Sequence, residues 1–166
     1  MVPFFVFFML TGVGGAANKW IALIIFCVAS LTDMLDGKIA RARNLVTNFG
    51  KFMDPLADKL LVCSAMICLV DMSRIPSWIV IIIIGREFVI SGFRLIASDN
   101  GVVIAANYWG KCKTVCQMFM IIILIANLGG GFVIVEQILI YASLILTVIS
   151  LITYLWQNRS VLSMQE

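Results

Sequence analysis

From Phe132 to Trp156 a single charged residue, Glu136, interrupts an otherwise uncharged and mostly apolar run. That is longer than the roughly 20 apolar residues that carry an α-helix across a bilayer, and shorter runs of the same kind recur along the chain. They are too long, and too rich in Leu, Ile, Met and Ala, for the strands of a membrane barrel, which need about ten residues each with alternating polarity. Helices follow. The composition agrees: 62% of the 166 residues are hydrophobic, against about 45–50% in an average soluble domain. The joints between runs are short and polar, with no Pro-, Gly- or Ser-rich linker, repeat or low-complexity segment. The expected fold class is therefore an all-α, polytopic membrane protein, with residues 1–166 forming a single domain.

Six membrane helices are predicted. Val2 to Leu10 is only half a span, so a first helix truncated at its start is expected; it lacks the basic leader and small-residue cleavage site of a signal peptide. Gly12, Gly14 and Gly15 break it. A second helix, Asn18 to Ala42, is apolar in its first half and then carries Asp33, Asp36, Lys38 and Arg41. The third, Phe49 to Met72, mirrors it, polar at the start and apolar later. The fourth, Ser77 to Ser98, is apolar to Ile84 and then carries Arg86, Glu87 and Arg94. Lys111 and Lys113 open the fifth, which is apolar from Val115 to Leu128, and the sixth is Phe132 to Trp156.

With spans alternating in direction, Lys38, Arg41, Arg43, Lys51, Arg94, Lys111, Lys113 and Arg159 fall near one face, against Lys19 and Arg74 at the other. The excess of positive charge marks the cytoplasmic side, so a multi-pass protein of the cell membrane with its charged cluster facing the cytosol is expected. The net charge of +3 is the sum of this asymmetry and gives no reason to expect a nucleic-acid partner. Trp20, Trp78, Trp109 and Trp156 lie near helix ends and read as interfacial anchors. Glu136 reads as a headgroup-level residue, and the five scattered cysteines as small hydrophobes without disulfides.

Four of the nine acidic residues lie between Asp33 and Asp58. A carboxylate within a span costs roughly 2.5–3.5 kcal/mol on insertion scales, so four together require a compensating partner, and a divalent cation is the natural one. Asp33 and Asp36 are three apart, and Asp54 and Asp58 four apart, which places each pair on one helical face. An all-carboxylate set in a chain without histidine suits a hard cation, Mg2+ or Mn2+. Four carboxylates can hold two such ions, the arrangement that serves displacement at phosphorus. Gly37, Ala40 and Gly50 are small residues that leave room beside this cluster, and Arg41 at its mouth can hold a phosphate.

The pattern D-x-x-D-G-x-x-A-R-x8-G-x-x-x-D-x-x-x-D, filled by Asp33, Asp36, Gly37, Ala40, Arg41, Gly50, Asp54 and Asp58, resembles the signature of the CDP-alcohol phosphotransferase family. The resemblance covers nearly the whole chain. It implies a homodimer of six-helix subunits that transfers a phosphatidyl group from CDP-diacylglycerol to an alcohol and releases CMP. It also implies that Asp33, Asp36 and Asp54 are metal ligands, that Asp58 is both metal ligand and catalytic base, and that Gly37, Ala40, Arg41 and Gly50 line the CDP site.

The acceptor has to be read outside the signature. Arg86, Arg94, Lys111 and Lys113 can form a second phosphate pocket, which only an acceptor that is itself a phosphate ester would use. The stretches Asn48 to Lys59 and Arg86 to Arg94 resemble family members whose acceptor is sn-glycerol 3-phosphate. Inositol phosphate, serine or a phospholipid is the alternative acceptor. A cation transporter is the alternative class, but it would distribute its acids across the bilayer, whereas these lie at one level.

Overall fold

The computed structural model describes residues 2–11, 17–42, 48–99 and 108–158, without the side chains of 33–34, 36–42, 48–58, 96 and 98–99. Among the described residues there are six helices and no strand: α1 (Val2–Leu10), α2 (Asn18–Ala42), α3 (Asn48–Asp71), α4 (Ser77–Asp99), α5 (Tyr108–Ala126) and α6 (Phe132–Gln157). Their ends follow the hydropathy closely because polar joints and apolar runs alternate sharply. α5 begins at Tyr108, directly after the stretch that ends at Asn107, and so takes Lys111 and Lys113 into its first two turns, as expected.

Residues 1–75 with 121–128 form one compact unit, and 76–120 with 129–166 a second. In the first, α1, α2 and α3 pack against one another. Phe5 of α1 is fully buried against Phe26 of α2, ring centroids 5.8 Å apart, so the short first helix is an integral part of this unit. Ala22, Phe26 and Ala29 form the buried stripe of α2, and Leu61, Ala65, Met66, Cys68 and Leu69 that of α3. At one end the Asn18 amide donates to the Thr11 carbonyl, and the Lys19 ammonium donates to the Asn127 carbonyl at 3.3 Å.

α3 stops in a left-handed cap. Ser73 has φ 57°, its N–H donates to the Val70 carbonyl at 2.8 Å, and the Arg74 N–H reaches back to Leu69 at 2.8 Å. These two bonds satisfy carbonyls that the end of a helix leaves without partners, but the position favours glycine.

The second unit shows the solvent for which the chain is built. Along α6 the buried residues are Glu136, Ile140, Ser143, Thr147, Ser150 and Tyr154, in steps of four and three. Exposed on the same helix are Ile134 (68%), Ile138 (61%), Tyr141, Ile145, Val148 and Ile152. Water would favour the reverse. Lipid accepts the apolar face and offers nothing to a hydroxyl or carboxylate, so polar groups turn inward, where helices can satisfy them. Thr147 donates to the Ser143 carbonyl at 2.7 Å and Ser150 to the Thr147 carbonyl at 3.0 Å. Glu136, in the second turn of α6, is 7% exposed and starts this inward stripe.

α6 packs on α4. Ile90, Phe93 and Ala97 of α4 close on Tyr154, flanked by Leu151 and Leu155, with the Phe93 and Tyr154 rings edge to face at 5.8 Å. Among the described residues, α5 and α6 are long and apolar enough to cross a bilayer. Exposed large apolar residues also occur on α1, α2, α3 and α4, and all four tryptophans are exposed close to helix ends. This is a membrane protein. All five cysteines are free, as expected.

Ser73→Gly removes the Cβ penalty of the left-handed cap, roughly 1 kcal/mol. It is expected to raise the thermal unfolding midpoint in detergent; a lowered midpoint would contradict this account of how α3 ends.

Candidate active site

Both halves of the signature stand on unbroken helical backbone. α2 is continuous through Asp33, Asp36, Gly37, Ala40 and Arg41, and α3 through Gly50, Asp54 and Asp58. The spacing argument therefore applies to real helices: Asp33 and Asp36 are separated by about 4.5 Å of helical rise, Asp54 and Asp58 by about 6 Å. The side chains of these eight residues lie outside the described residues, so their positions are those of the backbone alone. α2 and α3 pack together within the first unit. The described residue among the α2 acids, Leu35, is exposed, as are Leu31 and Val28 on the turns before it.

The donor set fits a hard divalent cation by its chemistry. It consists of carboxylates at helical spacing on two packed helices, in a chain with no histidine. No cluster of three metal-binding side chains occurs among the described residues, which exclude these four aspartates.

The basic set is seen in atomic detail, and the structure divides it. Arg86 of α4 is 8% exposed and Lys113 of α5 is 1% exposed. Glu87 joins them: one carboxylate oxygen accepts from Arg86 Nη1 at 3.2 Å and from the Lys113 ammonium. Arg86 Nε donates to Ser150 Oγ of α6 at 3.1 Å. Two adjacent residues of α4 thus tie three helices of the second unit, Arg86 reaching α6 and Glu87 reaching α5. Gly110 completes its surroundings, since a Cβ there would lie 3.3 Å from Arg86 Nη2.

Arg94 lies two turns further along α4 and is exposed, its guanidinium carbon 5.7 Å from the centre of the Tyr154 ring. Lys111 is also exposed. Its separation from Lys113 has a simple cause: residues two apart on a helix point to nearly opposite sides. Of the four expected acceptor-side cations, the buried Arg86 and Lys113 share Glu87, whereas Arg94 and Lys111 are exposed.

Glu87 and Ser150 are the site residues that sequence reasoning did not select. Glu87 looks like a local partner of Arg86, and nothing in the sequence says that it also reaches Lys113, 26 residues on. Ser150 leaves a faint trace, because Ser143, Thr147 and Ser150 repeat at helical spacing in an otherwise apolar run. That repeat marks an inward polar stripe but not what the stripe meets. Buried charges need such partners; removing one member of a buried pair commonly costs about 3–5 kcal/mol.

Residues 1–149 match the CDP-alcohol phosphatidyltransferase family, and the chain belongs to it. Among its relatives is a CDP-diacylglycerol–glycerol-3-phosphate 3-phosphatidyltransferase of Bacillus subtilis (strain 168), 55% identical over 98 residues. That match covers 59% of this chain and 51% of the relative, so it spans about half the length of that protein. The protein of the same name from Haemophilus influenzae is 37% identical over 160 residues, covering 93% of this chain and 85% of its own. A probable phosphatidylglycerophosphate synthase of Mycobacterium tuberculosis is 36% identical over 155 residues, covering 93% and 74%.

Tyr154 offers a check on the packing beside this site. Its hydroxyl is buried and has no hydrogen-bond partner among the described residues. Tyr154→Phe is therefore expected to leave stability within about 0.5 kcal/mol. Tyr154→Ala should cost about 3–5 kcal/mol through the cavity it opens. Thermal unfolding in detergent separates the two; a large loss in the Phe variant would mean that the hydroxyl does make a bond.

Proposed function

We propose that this protein transfers the phosphatidyl group of CDP-diacylglycerol to sn-glycerol 3-phosphate, producing phosphatidylglycerophosphate and CMP in phospholipid biosynthesis. The observation that carries the reading is the eight-residue signature standing on two packed, unbroken helices of a chain belonging to this family. The acceptor assignment is supported by the names of the relatives and by the paired cations Arg86 and Lys113.

Asp33, Asp36, Asp54 and Asp58 would hold Mg2+ or Mn2+, two ions in this reading. Bound there, such ions polarise the phosphate under attack and neutralise charge on the leaving CMP. Gly37, Ala40 and Gly50 give the nucleotide access to the helix backbones, and Arg41 contacts a donor phosphate. Asp58 accepts the proton of the acceptor hydroxyl. The new bond forms between that oxygen and the phosphorus carrying diacylglycerol, the bond from that phosphorus to the CMP oxygen breaks, and CMP leaves with the electron pair. Arg86 and Lys113, with the exposed Arg94 and Lys111, recognise the phosphate of the acceptor.

Six spans in the cell membrane with the site on the cytoplasmic side complete the reading, supported by the loop charges. A homodimer is supported by the outward face of α4, where Ile81, Phe88 and Leu95 are exposed and, among the described residues, nothing lies within 4 Å of a Cβ placed on Gly85 or Gly92. Glycine within a helix costs about 1 kcal/mol against alanine, which close approach of a second helix can offset.

CMP release by the purified protein, with CDP-diacylglycerol and each of glycerol 3-phosphate, inositol phosphate and serine in competition, tests the acceptor. Glycerol 3-phosphate is expected to be preferred, and preference for another acceptor overturns the assignment. Chelation should stop release and added Mg2+ or Mn2+ restore it. Asp58→Asn should lower turnover by about 100-fold or more while CDP-diacylglycerol still binds; undiminished turnover removes Asp58 as base. Gly85→Leu with Gly92→Leu should shift the detergent-solubilised protein to a smaller mass in light scattering if α4 faces its copy, and an unchanged mass would exclude that face.

A further inference from the structure

We infer that Glu87 is a positioning residue for acceptor recognition: its carboxylate, with the Ser150 hydroxyl, holds Arg86 and Lys113 ready for the phosphate group of a phosphate-monoester acceptor. The inference rests on the acceptor reading above and adds to it a residue that touches no substrate. Three observations on one guanidinium carry it. Nε is committed to Ser150 Oγ at 3.1 Å, and Nη1 to Glu87 at 3.2 Å. The remaining nitrogen, Nη2, faces Gly110, where a Cβ would crowd it at 3.3 Å. A guanidinium carries five N–H donors in a fixed plane. Anchoring Nε and Nη1 therefore sets the direction of the Nη2 donors.

The same carboxylate accepts from Lys113, whose side chain is buried along its length. Lys and Arg side chains are long and rotamer-rich, and a flexible cation must be ordered at the moment it binds an anion, which opposes binding. Here the ordering is done by the fold. α4 supplies the carboxylate, α6 the hydroxyl and α5 both the lysine and Gly110. Glu87 also supplies the negative charge that lets two cations share an apolar interior before any substrate arrives.

The roles separate by kinetics on the full-length protein in detergent. Glu87→Gln keeps shape and one acceptor oxygen but loses the charge. It is expected to raise the KM for glycerol 3-phosphate by about tenfold or more, as loss of charge-assisted hydrogen bonds implies. The KM for CDP-diacylglycerol should stay within about twofold. Glu87→Asp, which retains the charge on a shorter arm, should recover part of the loss. Ser150→Ala removes only the hydroxyl and leaves every charge in place, so it tests the idea even if Glu87→Gln does not fold. It should raise the same KM about threefold or more without moving the other.

Equal rises in both KM values, or a fall in kcat alone, would make the cluster structural and overturn the inference. A lower KM for glycerol 3-phosphate in Glu87→Gln would make the carboxylate a competitor of the phosphate, which also overturns it. Unchanged KM values in active variants overturn the role of Glu87 and leave the acceptor reading standing. No CMP release from wild-type protein with glycerol 3-phosphate would overturn both.

Discussion

A carboxylate shared between two buried cations organises the part of this protein that is described in most detail. Glu87 lies between Arg86 and Lys113, and Arg86 reaches on to Ser150, so α4, α5 and α6 of the second unit are joined by polar bonds. In water such an arrangement would be an expensive ornament, because desolvation offsets most of what a buried ion pair returns. In a helix bundle that turns isoleucine and valine toward lipid, polar groups have nowhere else to be satisfied. The serine and threonine stripe of α6 and the inward Glu136 obey the same constraint. The interior of the second unit is therefore partly polar.

The two sets of candidate site residues are built differently. The acids of the signature come from two consecutive helices, and their grouping follows from steps of three and four residues on continuous backbone. Their candidacy rests on local helix formation and on the packing of α2 on α3. The basic set comes from α4, α5 and α6, up to 64 residues apart in the chain for the Arg86 to Ser150 bond. Its geometry exists only once three helices have packed.

This difference explains what could be read in advance. Hydropathy located every helix to within a few residues, because spans of lipid-compatible side chains end abruptly at Gly, Asn, Asp and Pro. The candidate metal and nucleotide residues could be singled out in the sequence because their pattern is local. Glu136 shows the limit of such reading: the sequence places it near a helix end, but only its rotational position shows that it turns inward. Lys111 and Lys113 were grouped as equals, yet two residues of helical rotation expose one and bury the other.

From the sequence alone came the solvent, the order of the helices among the described residues, the family and the acidic signature. Each of these depends on residue type and spacing along one helix, and helical periodicity is a local property of the backbone. Only the tertiary structure decided that Arg86 and Lys113 share Glu87, that Ser150 holds Arg86, and that Gly110 lies where a Cβ would crowd the guanidinium. Those relations depend on the rotation and depth at which α4, α5 and α6 meet. Ridges packed into grooves set that, and no single helix carries the information.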